Sequence, residues 1–208
     1  MWSCFIMDRM LSAGKYRSNM ISVKQLKLQL PCSDDQFLFA QDIRTGFLDK
    51  PTQVDENIND DGVPSRYIRL VEIFGRFSVW SYAGGRRTET KPPWDSSTQF
   101  YQLRQELDNF SRSLPSNLTF TEANLSAYIE KRNVATFASV HTLYSLCLII
   151  LHREYIPFIP LRCKRPQGPL DAPVFPENRY RIPERFWEES AEAIFKAARD
   201  ILDIVSTC

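Results

Sequence analysis

Apolar residues recur at intervals of three and four along most of this chain, and this spacing constrains the fold more than any other feature. The clearest case predicts a helix from Pro183 to Val205 with an apolar face of Trp187, Ala191, Ile194, Phe195, Ala198, Ile201, Leu202 and Val205. No stretch alternates apolar and polar residues for long enough to predict a sheet. We therefore expect an all-α fold, an irregular multi-helix bundle of roughly six to eight helices.

The segment from Val134 to Ile156 is apolar around its whole circumference between Leu143 and Leu151, which predicts the central, most buried helix. Its longest unbroken apolar run has six residues, whereas a membrane span needs about 20. We therefore expect no transmembrane helix and no association with a membrane. Arg153 lies at the C-terminal end of this helix, so we expect it to be partly buried and held by a carboxylate or by helix-end carbonyls.

Two more amphipathic patterns predict helices from Arg66 to Tyr82 and from Gln99 to Leu114. Thr119 and Glu122 have the Thr-x-x-Glu spacing of a capping box, which predicts that a short helix begins after Thr119. Ser33 and Gln36 have the same capping-box spacing, which predicts a helix through Phe39.

Three segments, near 49–64, 83–94 and 157–183, are predicted as surface loops. The first is acidic, the second contains paired glycines and paired prolines, and the third holds seven of the chain's 13 prolines. No shift in composition forces a second domain, so we treat residues 1–208 as one domain.

The charge balance and the cysteines argue against several functional classes. Lys plus Arg number 26 and Asp plus Glu number 25, a net charge of +1, which is far from the basic excess of a dedicated nucleic-acid-binding domain. The cysteines form no Cys-x-x-Cys pair, which favours reduced thiols over a zinc site or a disulfide framework; they are Cys4, Cys32, Cys147, Cys163 and Cys208. We therefore expect no metal, no cofactor and no DNA-binding residue in this chain.

The residues also give little support to catalysis. His141 and His152 lie eleven residues apart on one predicted helix, about 16 Å along its axis, which is too far to share a metal. His141 and Ser145 have the i, i+4 spacing of a base and a nucleophile, but no acid is placed to complete the site. We expect a non-enzymatic protein. The alternative is a helical small-molecule-binding or enzymatic domain with a pocket near His141, Tyr144 and His152.

Three short elements occur in a definite order along the chain. They comprise Trp2, Asp8, Arg9, Ser12 and Gly14 with Leu30-Pro31; then Leu114-Pro115; then His152, Arg153 and Tyr155. Together they resemble the signature of the fungal-specific transcription factor domain, the middle regulatory region of fungal binuclear zinc cluster transcription factors. The chain departs from that signature at residues 15–18, where Lys-Tyr-Arg-Ser replaces a Gly-Arg-Pro turn, and at Glu154, where the family often has proline.

The resemblance implies the later portion of that regulatory region, truncated at the N-terminus, in a nuclear protein that controls transcription by RNA polymerase II. It implies action by helix packing and response to a partner or effector rather than by direct DNA contact. DNA and zinc would be bound by the zinc cluster domain, whose six cysteines these 208 residues lack. The resemblance leaves three kinds of partner open: a second copy of the chain, a transcriptional co-regulator and a metabolite effector.

Overall fold

The computed structural model describes residues 1–13, 17–49, 62–156, 165–166, 168–169 and 180–207. Within these ranges the only extended pairing is one antiparallel bridge between Gln29 and Phe47, and no strand forms. The seven α-helices there are α1 (Trp2–Ser12), α2 (Asp34–Leu38), α3 (Val63–Tyr82), α4 (Gln99–Ser113), α5 (Glu122–Glu130), α6 (Val134–Arg153) and α7 (Phe186–Thr207). The prediction of an all-α, multi-helix fold is confirmed.

The chain divides into two compact units. Unit 1 comprises Met1–Arg76 and Pro115–Leu143, and unit 2 comprises Phe77–Leu114 and Tyr144–Cys208. The long helices α3 and α6 each contribute residues to both units.

The core of unit 1 is built from the buried faces of α1, α3, α5 and α6. Burial of these side chains removes apolar surface from water, which is the main force that holds the helices together. The buried apolar residues described are Phe5, Leu26, Leu30, Ile68, Leu70, Val71, Ile73, Phe74, Leu118, Leu125, Phe137, Val140 and Leu143.

The core of unit 2 is richer in large aromatic side chains. In α4 the buried face is formed by Phe100, Leu103, Leu107 and Phe110. The side chain of Thr98 caps this helix by accepting the backbone N–H of Tyr101 at 3.3 Å. The buried apolar residues are Phe77, Trp80, Phe100, Leu103, Leu107, Phe110, Cys147, Leu151, Tyr155, Phe186, Trp187, Ala191, Ile194, Ala197 and Ile204.

Two predicted helix starts can be compared with the structure. Helix α2 begins directly after Ser33, whose hydroxyl hydrogen-bonds the Gln36 side chain at 2.8 Å. The capping residue of α5 is Thr121, which accepts the backbone N–H of Asn124 at 3.1 Å, and not Thr119 as predicted. The Thr119 hydroxyl instead donates to the carbonyl of Ser116 at 2.8 Å.

The predicted apolar face of α7 is only partly buried. Phe195, Leu202 and Val205 are 61%, 65% and 68% exposed, so their assignment to the core is wrong. The buried face is narrower and runs through Ile194, Ala197 and Ile204. The apolar stripe that the sequence predicts for α7 is therefore wider than the face of α7 that the rest of the protein buries.

Helix α6 is not more buried than α3, contrary to the expectation from the sequence: only Ala135, Leu146 and Arg153 are exposed along α6, and only Arg76, Val79 and Tyr82 along α3. Helix α6 is also the one helix in the described ranges whose length and mean hydropathy, 1.9, would suit a membrane span. The expectation of no transmembrane helix was based on the longest unbroken apolar run. That criterion was too strict, because it ignored the small residues between the apolar ones. Of that window 39% is buried inside the protein. Arg153 is exposed, so its expected partial burial is wrong.

The structure describes the three predicted loops to different extents. Residues 50–61, and most of 157–183, lie outside the described residues, and α3 already begins at Val63. The segment 83–94 contains a 3-10 turn, Gly85–Thr88, and its Gly85, Pro92 and Pro93 are buried. The expectation that this segment lies wholly at the surface is therefore corrected.

Candidate functional site

Arg9 forms a buried ionic contact in unit 1. Its side chain, in a residue only 2% exposed, pairs with the Asp8 carboxylate and with Glu72 Oε2, which lies 2.8 Å from Arg9 Nε. Arg9 Nη2 donates to the carbonyl of Ile21 at 3.0 Å, and the guanidinium lies 4.3 Å from the ring centroid of Phe5. All three guanidinium nitrogens and one face of the guanidinium plane therefore contact protein groups.

Asp8 and Gly75 complete this arrangement. The two oxygens of Asp8 accept the backbone N–H groups of Met20 at 2.8 Å and Ile21 at 3.1 Å. A Cβ at Gly75 would lie 2.5 Å from Arg9 Cδ, so α3 can approach the arginine this closely only because residue 75 is glycine. The Asp8–Arg9 pair thus joins α1, the segment at 20–21 and α3.

Other residues of the quoted signature hold the backbone in place. Trp2 Nε1 donates to the carbonyl of Gln29 at 2.9 Å, and the Ser12 hydroxyl donates to the carbonyl of Ser18 at 3.3 Å. The carbonyl of Leu30 accepts a hydrogen bond from the Thr45 hydroxyl, and the carbonyl of Pro31 accepts one from the Ser65 hydroxyl. Leu114 directly follows α4, Pro115 precedes a short 3-10 turn, and Gly14 lies outside the described residues.

Unit 2 contains a group of packed rings that we call the aromatic cluster, defined as Trp94, Phe100, His152, Tyr155, Phe186 and Trp187. Phe100 lies at its centre, with ring centroids 5.6 Å from His152 and 4.9 Å from Tyr155. Trp187 contacts Trp94, Tyr155 and Phe186 at 5.9, 6.2 and 5.0 Å. These separations are typical of favourable edge-to-face and stacked ring pairs.

Three buried polar atoms in or beside this cluster have no hydrogen-bond partner among the described residues: His152 Nδ1, Trp187 Nε1 and Ser190 Oγ. Ser190 lies one turn after Phe186 on α7 and is 2% exposed. A buried polar group without a partner costs about 1 to 3 kcal/mol, so its presence requires an explanation. The aromatic cluster with these three atoms is the candidate functional site.

The charge state of His152 follows from its surroundings. Burial, with a smaller contribution from the positive charge of Arg104, lowers the pKa of His152 from 6.5 to about 3. The imidazole is therefore neutral at physiological pH, so one ring nitrogen is a hydrogen-bond acceptor and the other is a donor, whether or not a partner is present. Burial also raises the pKa of the Tyr155 hydroxyl, which stays protonated. The cluster thus holds neutral hydrogen-bonding groups between aromatic rings.

The three residues proposed from the sequence to share a pocket lie in different surroundings. His141 Nε2 lies 3.0 Å from the carbonyl of Leu118, and its ring packs against Phe120 and Phe137. Tyr144 stacks on Phe110, with ring centroids 6.3 Å apart. His152 alone of the three belongs to the aromatic cluster. The structure therefore gives no support to a pocket built from all three.

Sequence reasoning missed Trp187 and Ser190 as members of a site, because Trp187 was assigned to the core and Ser190 was not singled out. The available signal was a serine on the buried side of an otherwise apolar helix face. Within the described residues, no three His, Cys, Asp or Glu side chains lie close enough together to hold a metal ion.

We expect Ser190→Ala to stabilise the protein by about 1 kcal/mol, because it removes a buried hydroxyl that has no partner. Most buried side-chain truncations destabilise, so the sign of the change is diagnostic. Ser139→Ala is the matched control, since the Ser139 hydroxyl on α6 donates to the Ala135 carbonyl at 2.7 Å and both changes share the same gain in helix propensity. Urea unfolding measures both variants. Equal stabilities for the two variants would contradict the assignment.

Comparison with known proteins places these features in a family. The family described as "Fungal specific transcription factor domain" matches residues 1–112. The chain is 29% identical over 183 residues to an uncharacterized transcriptional regulatory protein of Schizosaccharomyces pombe, covering 79% of this chain and 26% of that protein. It is 22% identical over 214 residues to the Zn(2)-C6 fungal-type transcription factor FTF1c of Fusarium oxysporum, covering 99% of this chain and 21% of that protein.

The chain thus spans about a fifth to a quarter of the length of these two curated relatives. No solved structure matches it. The family match covers α1 to α3 and α4 except for its last residue, and it includes the Asp8–Arg9 pair and Glu72. The chain belongs to the fungal-specific transcription factor domain family.

Proposed function

We propose that this chain is a regulatory module that controls transcription by RNA polymerase II in the nucleus, and that it acts through the packing of its own helices rather than by touching DNA. The family match and the names of the relatives support the regulatory class and a non-enzymatic role. The net charge of +1 supports a module that leaves DNA contact to another domain, because phosphate binding requires a basic surface.

The observation that carries the mechanism is the set of three unpartnered polar atoms in the aromatic cluster. Their burial reduces the stability of the packing between α7 and the C-terminal part of α6, because each lost hydrogen bond to water is not replaced. An effector or a partner group that supplies hydrogen bonds there would stabilise the state that it binds. The response is then a shift in the equilibrium between two helix packings. The free energy of this shift equals the difference between the binding free energies of the effector or partner for the two packings.

A reporter assay in a fungal host tests the regulatory role. The chain is inserted between a heterologous DNA-binding domain and an activation domain, and the control fusion carries a Gly/Ser linker of the same length. We expect the inserted chain to change reporter output at least threefold at equal protein level, because a folded regulatory module restrains or relays activation. Equal output from the two fusions would contradict the proposal.

A further inference from the structure

Residues 31–45 of unit 1 form an excursion whose two ends are fixed to each other. The backbone N–H of Leu30 donates to the carbonyl of Gly46 at 2.9 Å, next to the bridge between Gln29 and Phe47. Ser65 of α3 ties the start of the excursion down through a 2.8 Å hydrogen bond to the carbonyl of Pro31. The excursion is therefore a compact loop on a fixed base.

The middle of this excursion is α2, and the last two residues of α2 together with the next residue expose three large apolar side chains in a row. Phe37, Leu38 and Phe39 are 76%, 75% and 76% exposed. In the part of the chain that the structure describes, no other run of three consecutive large apolar residues is exposed. Single exposed apolar residues are ordinary, but a contiguous patch of this kind marks an interaction surface.

The conformation of α2 is defined at both ends. Ser33 precedes the helix and hydrogen-bonds Gln36, while Ala40 follows it with a φ of 48°. The backbone N–H of Gln41 donates to the carbonyl of Gln36 at 3.1 Å, which is the six-to-one hydrogen bond of a Schellman motif. Alanine in this left-handed conformation is strained relative to glycine, so the surrounding contacts hold the turn in place.

The charge around the exposed residues is net negative, because the excursion 31–45 contains three aspartates and one arginine, the exposed Arg44 that follows residues 33–43. Residues 33–43, which we call the acidic tip, contain Asp34, Asp35 and Asp42 and no lysine or arginine. All three aspartates are exposed. The acidic tip therefore combines an apolar anchor with a negatively charged surround.

We propose that the acidic tip docks into a partner protein that has an apolar groove rimmed by lysine and arginine side chains. Short amphipathic helices bind grooves by inserting apolar side chains, and complementary charge at the rim fixes orientation and speeds association. This inference rests on the proposed function, since the partner would be the co-regulator through which the module acts.

The charge of the tip disfavours two other occupants. Two copies of the chain joined tip to tip would bring the aspartates of both copies together, and like charges repel. An anionic membrane surface would repel the same carboxylates.

Photo-crosslinking of the full chain tests this docking. Phe39 is replaced by p-benzoylphenylalanine, which keeps an aromatic ring at that position, and the chain is irradiated in fungal nuclear extract. We expect a cross-link to a peptide that lines an apolar groove bordered by lysine or arginine. The yield should fall at least tenfold with Phe37→Ala and Leu38→Ala together, and at least threefold with Asp34→Lys and Asp35→Lys together.

Met20→Ala is the matched control, because Met20 is an 85% exposed apolar residue of the same unit outside the tip. Its cross-link yield should equal that of the unchanged chain. A cross-link to a second copy, a cross-linked surface without a basic rim, a yield that the tip variants leave unchanged, or no cross-link would each overturn the docking proposal.

The tip residues are exposed, so the variants should keep the unfolding midpoint of the unchanged chain, and a folding defect is thereby separated from lost docking. The reporter assay separates the two proposals. If the inserted chain changes reporter output but the tip variants leave the cross-link unchanged, the docking proposal alone fails. If the inserted chain leaves output unchanged, the proposed function fails whatever the cross-link shows.

Discussion

Arg9→Met is expected to destabilise the protein by about 3 to 5 kcal/mol, the range found when one partner of a buried ion pair is removed. The methionine keeps much of the side-chain length but leaves Asp8 and Glu72 without their cation in a buried site. It also removes the hydrogen bond to Ile21 and the contact with the Phe5 ring. Urea unfolding followed by circular dichroism measures the loss.

Arg153→Met is the control for this change. Arg153 belongs to the same set of signature residues, but its side chain is exposed at the end of α6. We expect its free energy of unfolding to stay within about 0.5 kcal/mol of the unchanged chain, as for most surface substitutions. Similar losses for the two arginines would show that the buried ionic contact does not stabilise the fold.

The second large effect is a loss of stability in acid that depends on His152. Its pKa is about 3 in the folded chain and near 6.5 when unfolded, so the unfolded chain binds a proton first as the pH falls. Above about pH 7 the imidazole is neutral in both states and contributes nothing to the pH dependence. Between pH 6.5 and 3 stability falls by about 1.4 kcal/mol per pH unit, or about 2 kcal/mol from pH 7.5 to pH 5.

His152→Phe isolates this contribution, because it removes the titrating group and keeps a ring beside Phe100. Other groups titrate equally in both proteins and cancel in the comparison. We expect the free energy of unfolding of the unchanged chain to fall by about 2 kcal/mol more than that of the variant between pH 7.5 and pH 5. If the two proteins lose stability in parallel, His152 is not buried in its neutral form.

The long helices could be predicted from the sequence because their apolar spacing extends over four turns or more. The covered face of α7 could not, since Phe195 and Leu202 are as apolar as the buried Ile194. Spacing shows which residues share a side of a helix, but which part of an apolar stripe is covered depends on the neighbouring elements. The predicted start of α5 is wrong because two threonines, two residues apart, are both suitable capping residues, and the local sequence does not decide between them.

The candidate sites were less predictable than the helices. The resemblance singled out Arg9, but its partner Glu72 lies 63 residues along the chain, and nothing in the local sequence joins them. Nothing in the local sequence indicates that Gly75 makes room for the Arg9 side chain. His152 was singled out as a histidine, but its neighbours in the aromatic cluster come from α4 and α7, which only the folded chain brings together.

The reporter assay with Ser190→Ala tests most directly whether the module acts through the packing at the aromatic cluster. The fusion used for the unchanged chain is compared with the same fusion carrying Ser190→Ala or Ser139→Ala, at equal protein levels. Because Ser190→Ala stabilises one packing of α7, we predict that its reporter output departs at least twofold from that of the unchanged chain, while Ser139→Ala matches it. If Ser190→Ala stabilises the protein and yet both variants give the output of the unchanged chain, regulation does not depend on this packing and the account is wrong.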